Sequence, residues 1–137
     1  MKTEHIFVID DDKFFAKYFI MRFKLLVNDR VEFHHFTSLL PVFKANEMVK
    51  PSLIFLDNEL SGETGVDAIP EMLEQYPDSE IILISSVDDP RLVDQALANG
   101  ASRFISKDDI MMDRIAQRMN ESMTDSSQKK LMKRLIR

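Results

Sequence analysis

Short apolar runs alternate along the chain with longer segments in which apolar residues recur at helical spacing. The runs at 53–56 and 81–84 are apolar at every position, as expected of strands covered on both faces. We therefore expect these two strands at the centre of a parallel sheet. The five strands predicted from such runs are 5–9, 31–36, 53–56, 81–84 and 103–105.

The segments between the strands have helical periodicity. The five helices predicted from it are 13–26, 39–49, 66–75, 90–99 and 109–120. Local signals agree with these limits, because Pro51 follows the second segment and Asp89-Pro90 suits the start of the fourth. Strands that alternate with helices are typical of one α/β domain with a doubly wound parallel sheet.

Composition limits the size and the setting of this domain. The 137 residues, 45% of them hydrophobic, are enough for one core but not for two. The chain has no Cys, which excludes disulfides and thiolate metal sites and favours a reducing cytoplasm. No apolar run approaches the roughly 20 residues needed to cross a bilayer, so we expect no membrane span.

The charge is distributed unevenly between the body and the tail. Residues 1–120 carry 13 Lys and Arg against 21 Asp and Glu, whereas residues 121–137 carry 5 against 2. Binding to the phosphate backbone of nucleic acid needs clustered Lys and Arg, which an acidic body lacks. Nucleic acid is therefore not an expected partner of the body.

Polar residues stand where the predicted strands end. They are Asp10, Asp11 and Asp12 after the first strand, Asp57 after the third, Ser85 and Ser86 after the fourth, and Lys107 after the fifth. In a doubly wound sheet the ligand site lies beyond the carboxyl ends of the strands, so these side chains should converge.

Carboxylates gathered in one place repel one another unless a cation neutralises them, and their hard oxygens suit Mg²⁺. Mg²⁺ usually keeps only one or two protein carboxylates and shares its other positions with water and phosphate. The metal, Lys107 and a hydroxyl would together stabilise the charge on a transferring phosphoryl group. The pattern therefore predicts a phosphoryl-transfer site with Asp57 as the nucleophile.

Over roughly residues 4–120 the sequence resembles the response-regulator receiver family. The matching residues are the acidic pair Asp10 and Asp11, the phospho-acceptor Asp57, the loop glycine Gly65, the switch residues Ser85 and Phe104, and Lys107. The resemblance implies a flavodoxin-like fold, which is a five-stranded parallel sheet of order 2-1-3-4-5 with five helices. It also implies a signalling switch that accepts a phosphoryl group on Asp57 from a histidine kinase or a histidine phosphotransfer protein.

The resemblance further implies a role for each matching residue. Asp11 and Asp57 would ligate Mg²⁺ directly, Asp10 directly or through water, and Glu59 through its backbone carbonyl. Lys107 would pair with a phosphoryl oxygen. Ser85 would move towards the phosphoryl group and Phe104 into the space that it leaves. The altered surface would bind an unidentified downstream protein, and a phosphorylation-dependent dimer fits the same picture.

Three alternatives compete with this interpretation. An aspartyl-phosphate phosphohydrolase has a second acid two residues after its nucleophile, and Asp12 stands so relative to Asp10, but the chain has no room for a cap domain. A phosphorylation-independent adaptor usually lacks an acid or the lysine, and neither is missing here. The chain could also be the receiver fragment of a longer regulator. We expect no enzyme activity beyond catalysis of its own phosphorylation and dephosphorylation.

Two further segments have local interpretations. Residues 1–122 are expected to form the receiver domain, and 123–137 a polar linker and a basic amphipathic tail. Leu131 and Leu135 share one face of that tail, which suits a partner, a membrane surface, the start of an output domain or a solvated extension. His34 and His35 should lie on opposite faces of the second strand and are interpreted as structural rather than as metal ligands or relay residues.

Overall fold

The computed structural model describes residues 2–45, 49–111, 114, 115, 117 and 126–137. Within these residues the strands are β1 (Glu4–Ile9), β2 (Val31–Phe36), β3 (Pro51–Asp57), β4 (Glu59–Leu60), β5 (Glu63–Thr64), β6 (Glu80–Ser85) and β7 (Arg103–Ser106). The helices are α1 (Lys13–Lys24), α2 (Leu39–Phe43), α3 (Gly65–Gln75), α4 (Pro90–Ala98), α5 (Lys107–Met111) and α6 (Ser126–Leu135).

The five longer strands form one parallel sheet in the order β2-β1-β3-β6-β7. Numbered by these five strands alone, the order is 2-1-3-4-5, which confirms the predicted topology. β3 is central, as its wholly apolar interior predicts. β4 and β5 pair as a two-residue antiparallel ribbon directly after β3.

The sheet separates two apolar layers. On one face, β1, β3, β6 and β7 pack against α1, α5 and α6, and the rings of Phe19 and Phe23 meet Phe55 edge-on at centroid distances of 4.6 and 5.3 Å. On the other face the strands pack against α2, α3 and α4. Burying each such ring contributes about 1.5–3 kcal/mol, so these layers fix the strands whose ends carry the polar residues.

The start of α1 is set by its N-cap. The Asp12 carboxylate accepts hydrogen bonds from the backbone amides of Phe14 and Phe15, at 3.1 and 3.0 Å. These bonds satisfy two amides that have no partner within the helix. Asp12 therefore caps the helix.

Two predicted helices have different limits in the structure. The prediction of 39–49 is wrong for α2, which ends at Phe43, because the backbone tightens at Ala45, whose amide bonds to Val42 three residues back. α5 begins at Lys107, two residues earlier than predicted, because the Ser106 hydroxyl caps it by accepting from the Asp108 amide at 3.2 Å. The prediction extended this helix to 120, and most of that stretch lies outside the described residues.

Among the described residues the tail forms a helix, α6, that was not one of the five predicted, and it folds back onto the body. Leu131 and Leu135 of α6 are buried in the same layer as Phe19 and Phe23. The chain after the helix is held by backbone bonds, from Asn28 N–H to Leu135 O and from Arg137 N–H to Leu26 O, each 2.9 Å. Of the alternatives left open for the tail, the solvated extension is therefore wrong, because the apolar face of the tail is covered by the protein itself.

An ion pair joins the tail to the first strand. Arg134 Nε lies 2.8 Å from Glu4 Oε1, and Glu4 also accepts a hydrogen bond from the Ser52 hydroxyl. Burial of Glu4 opposes ionisation, but the bonds from Ser52 and Arg134 outweigh it and lower the pKa of this carboxyl.

In the part of the chain that the structure describes, no helix is long and apolar enough to span a bilayer.

Candidate functional site

Parallel strands bring the predicted polar residues to one edge of the sheet. Asp10 and Asp11 follow β1, Asp57 ends β3, and Lys107 follows β7. The carboxylates of Asp10, Asp11 and Asp57 each offer an oxygen, and the three oxygens lie within 4.8 Å of one another. The grouping that the strand ends predicted is thus present in three dimensions.

The three carboxylates differ in their surroundings. Asp10 and Asp57 are each only 2% exposed, whereas Asp11 is half-buried. Asp10 accepts from the Asp12 amide at 2.9 Å, and Asp11 accepts from the amide and hydroxyl of Ser61 at 3.0 and 2.8 Å. These bonds hold the carboxylates of Asp10 and Asp11 within the cluster.

Asp57 has one oxygen paired and one free. Its Oδ1 accepts from the Glu59 amide at 3.3 Å and lies 3.3 Å from Lys107 Nζ. Its Oδ2 is buried without a hydrogen-bond partner among the described residues. A buried carboxylate oxygen left in this way costs free energy unless a ligand or cation uses it.

Lys107 joins two of the acids. Its Nζ lies 3.1 Å from Asp10 Oδ2 and also sits over the ring of Phe15, 4.5 Å from the centroid. Burial of Lys107 disfavours its charge, but the charges of Asp57 and Asp10 outweigh this and raise its pKa. The ammonium therefore stays charged at neutral pH.

Burial, and then the neighbouring charge of Asp10, raise the pKa of Asp57 to about 7 in spite of Lys107. Three carboxylates facing one ammonium leave an excess of negative charge at this edge. A divalent cation would offset that charge, and the clustered carboxylates of Asp10, Asp11 and Asp57 offer it ligands. The donor set, which consists only of oxygens, fits a hard cation such as Mg²⁺ or Ca²⁺.

The loop after Asp57 is held close to the strand. The Asn58 side chain accepts from the Val66 amide at 3.0 Å, and the Asn58 carbonyl accepts from the Gly65 amide at 2.9 Å. A Cβ at Gly65 would lie 2.3 Å from the Asp57 carbonyl oxygen. Only glycine therefore fits where α3 begins, and its small size lets the helix start against the backbone of Asp57.

The side chain of Glu59 has a role that the sequence did not predict. Its carboxylate accepts from the Ser85 hydroxyl at 2.7 Å, from the Ser86 amide and hydroxyl at 2.9 and 3.0 Å, and from the Asn58 side chain at 2.8 Å. Burial opposes the ionisation of Glu59, but these bonds together lower its pKa. The available signal was the pairing of β3 with β6, which brings the residues after Asp57 beside those after Ile84.

The two predicted switch residues occupy different places. Ser85 is fully buried, and its oxygen accepts from the Val87 amide at 2.9 Å while its hydroxyl binds Glu59. Phe104 is half-buried, pairs in register with Leu83 and packs in the layer under α3 and α4. Ser85 therefore lies at the carboxyl end of β6, and Phe104 lies two residues before the carboxyl end of β7.

The predicted separation of His34 and His35 is present. His35 Nε2 lies 2.8 Å from the Asp10 carbonyl oxygen, so this ring contacts the backbone next to the acidic cluster. His34 Nε2 lies 2.9 Å from Nδ1 of His5 on the first strand. Neither His34 nor His5 belongs to the acidic cluster.

The chain resembles known proteins in both sequence and fold. It is 33% identical over 69 residues, half of the chain, to the uncharacterized transcriptional regulatory protein YhcZ of Bacillus subtilis, and spans 32% of that protein's length. A response regulator from Burkholderia pseudomallei, solved with a phosphorylated aspartic acid, calcium ion and citrate, superposes with a TM-score of 0.73 at 17% identity, over 95% of this chain and 71% of that one. A CheY-like receiver domain protein from Methanospirillum hungatei gives 0.70 at 16% identity, over 94% and 98%.

At such low identity the two solved structures support the fold alone. The sequence match to the family is more extensive, because the model of the response regulator receiver domain covers residues 6–120, from the first strand to beyond Lys107. The chain therefore belongs to the response regulator receiver domain family.

Proposed function

We propose that this receiver domain is a phosphorylation-activated switch. Asp57 accepts a phosphoryl group from a histidine kinase or a histidine phosphotransfer protein, in a reaction that depends on Mg²⁺. The observation that carries the proposal is the buried Asp57 carboxylate, which has Oδ1 held by Lys107 and Glu59 and Oδ2 without a partner among the described residues. A nucleophile needs one oriented oxygen that is free to react, and this arrangement provides it.

The transfer makes one bond and breaks one. Oδ2 of Asp57 attacks phosphorus, the O–P bond forms, the N–P bond of the donor phosphohistidine breaks, and the imidazole leaves with the electron pair. Lys107, already 3.3 Å from Asp57, then pairs with a phosphoryl oxygen. Asp10, Asp11, Asp57 and the Glu59 carbonyl would hold Mg²⁺, which neutralises charge on the phosphoryl oxygens when bound.

The response to phosphorylation starts from the Ser85 hydroxyl. In the structure this hydroxyl is bonded to Glu59, and it would exchange that acceptor for a phosphoryl oxygen on Asp57, which ends the neighbouring strand. Phe104, which is half-buried and lies two residues before the end of β7, would then move inwards. The surface near β7 changes as a result and binds a downstream protein.

The rival activity, hydrolysis of external phosphate esters, has little support. It needs Asp12 as a second acid, and the Asp12 carboxylate is used to cap α1. We therefore propose that the chain catalyses only its own phosphorylation and dephosphorylation. The relative in Bacillus subtilis is a transcriptional regulatory protein about three times as long as the segment matched, so a receiver within a longer regulator is compatible with the same chemistry.

Labelling with a small phosphodonor tests the proposal. Incubation with phosphoramidate and Mg²⁺ should add one phosphoryl mass to the protein, read by intact-mass spectrometry. Asp57→Asn should abolish the gain, because an amide cannot form the acyl phosphate. Asp12→Asn is the matched control, since Asn caps a helix as well as Asp and labelling should persist. A mass gain in Asp57→Asn would refute the assignment.

Calorimetric titration tests the metal site, and it suits a chain without Trp. Asp11→Asn should weaken Mg²⁺ binding by about tenfold or more, corresponding to at least about 1.4 kcal/mol for a lost carboxylate ligand. Asp12→Asn should leave the affinity unchanged. Equal affinities in wild type and Asp11→Asn would remove Asp11 from the ligand set.

A further inference from the structure

A second cluster of metal-binding side chains lies on β1 and on β2, which is the outermost strand of the sheet. This cluster shares no residue with the acidic cluster at the carboxyl ends of the strands. It consists of His5 on β1 and of Glu32 and His34 on β2. In the parallel register His5 pairs with Glu32, and Phe7 pairs with His34. Because side chains alternate between faces, these three lie on the same face of the two strands.

The ligand atoms of the cluster are already close together. His5 Nδ1 lies 2.9 Å from His34 Nε2 and 3.8 Å from Glu32 Oε2, and one atom from each residue falls within 4.8 Å of the others. The two histidines are half-buried and Glu32 is exposed, so an ion could enter from solvent.

These distances fit a small tetrahedral cation. Zn²⁺ binds His nitrogen at about 2.0–2.1 Å, so two ligands of a tetrahedral site stand about 3.3 Å apart. The observed separations of 2.9 and 3.8 Å bracket that value. Two His and one Glu are also a known zinc ligand set, with the fourth position left to water.

We propose that His5, Glu32 and His34 form a binding site for a borderline-soft divalent transition metal of the zinc class, which replaces the structural interpretation of His34 made from the sequence. The ligand types separate this site from the acidic cluster, because imidazole suits Zn²⁺, Cu²⁺ and Ni²⁺, whereas clustered carboxylates suit Mg²⁺ and Ca²⁺. One cation in each site is therefore compatible with the proposed phosphoryl chemistry.

The contact between His5 and His34 agrees with the site. In the structure the nitrogens of His5 and His34 face each other at hydrogen-bond distance, so one proton lies between them. A metal ion would take the place of that proton.

Occupancy would clamp the edge strand. β2 pairs with β1 alone in the five-stranded sheet, and a cation bound by His5, Glu32 and His34 would cross-link the two strands. His5 lies on β1 five residues before Asp10, which follows the strand, so the clamp is about 16 Å from the acidic cluster at roughly 3.3 Å per residue. It would stabilise this edge without entering the reacting site.

The test uses Zn²⁺ alone, titrated against a chelating indicator, in a full-length background that carries Asp11→Asn and Asp57→Asn. This background removes two of the three acidic ligands, so failure of the zinc site leaves the proposed function untouched. Only three histidines occur in the sequence, and His35, adjacent to His34 on the opposite face, gives the matched control. We expect one equivalent of Zn²⁺ to bind in the background and with His35→Gln.

His34→Gln should abolish that binding, and His5→Gln should do the same. Co²⁺ gives a second readout, since intense visible bands of four-coordinate Co²⁺ should appear with His35→Gln and disappear with His34→Gln. Circular dichroism checks that each variant is folded. If one of His5→Gln and His34→Gln does not fold, the other still tests the site. No binding in the background, equal binding in His34→Gln and His35→Gln, or a six-coordinate Co²⁺ spectrum would each overturn the proposal.

Discussion

The Ser85 hydroxyl donates a 2.7 Å hydrogen bond to Oε2 of Glu59. Glu59 follows the end of β3 and Ser85 ends the neighbouring strand β6, and the bond occupies the buried hydroxyl. In the proposed switch this bond must break before Ser85 can bind a phosphoryl oxygen. Its strength therefore opposes activation.

Weakening the bond should favour the activated form. Glu59→Gln keeps an acceptor for Ser85 but removes the charge, and a hydrogen bond to a charged group exceeds a neutral one by about 1 kcal/mol. The Glu59→Gln variant should therefore bind beryllofluoride, a phosphoryl analogue, about fivefold more tightly than wild type in calorimetric titration with Mg²⁺. Glu63→Gln, an exposed change of the same charge on β5, is the control, and equal affinities in the two variants would contradict this role for Glu59.

Gly65 should be required for the position of Asp57. Gly65→Ala places a Cβ 2.3 Å from the Asp57 carbonyl oxygen, so Asp57, the proposed nucleophile, must move, and a small displacement slows a positioned reaction by about tenfold or more. Phosphoramidate labelling should slow accordingly. Gly62→Ala is the matched control, because its φ of +75° costs about 1–2 kcal/mol of strain but its Cβ meets no atom within 4 Å. Equal labelling rates in the two variants would contradict the steric argument.

The raised pKa of Asp57 predicts a pH-dependent stability. Asp57 titrates at about 7 in the folded protein against 3.8 ordinarily, mainly because it is buried. Its contribution to stability is therefore fully present below the unfolded pKa and is lost as the pH rises through the folded value. Without metal, Asp57→Asn should exceed wild type in free energy of unfolding by more at pH 8 than at pH 5. Urea denaturation at the two pH values measures this, and a pH-independent difference would show that the carboxyl is not perturbed.

The tail helix should contribute to the stability of the whole fold. Leu135→Ala removes a side chain with 0% exposure and should lower the free energy of unfolding by about 2–4 kcal/mol. Lys133→Ala, two residues earlier on the exposed side of α6, should change it by less than about 0.5 kcal/mol. Chemical denaturation compares the two. Similar small changes in both would mean that the tail does not dock in solution.

Much of the fold and of the site follows from local patterns. The uninterrupted apolar runs in β3 and β6 predict central strands, because only a strand covered on both faces can be apolar at each position. In a doubly wound sheet the ligand site lies beyond the carboxyl ends of the strands, so residues that follow the strands are predicted to lie together. This places Asp10, Asp57 and Lys107 in one site before any distance is known. These residues were predicted because each depends on its own strand and not on the detail of its neighbours.

The contacts that the sequence did not predict depend on register and on packing partners. The bonds from Ser85 and Ser86 to Glu59 and the proximity of His5 to His34 arise only when two strands are aligned, and single-strand periodicity does not contain that alignment. The face of α6 containing Leu135 is visible as an amphipathic pattern. The pattern does not say which surface will cover it.

Lys107 lies between Asp10 and Asp57, so one ammonium serves as the counter-ion of both buried acids. Loss of either acid leaves the lysine paired with the other. Loss of the lysine leaves two buried carboxylates side by side, and breaking such a buried pair costs about 3–5 kcal/mol. The two losses are therefore not equivalent, and a homologue in which Asp57 has been replaced should still keep Lys107.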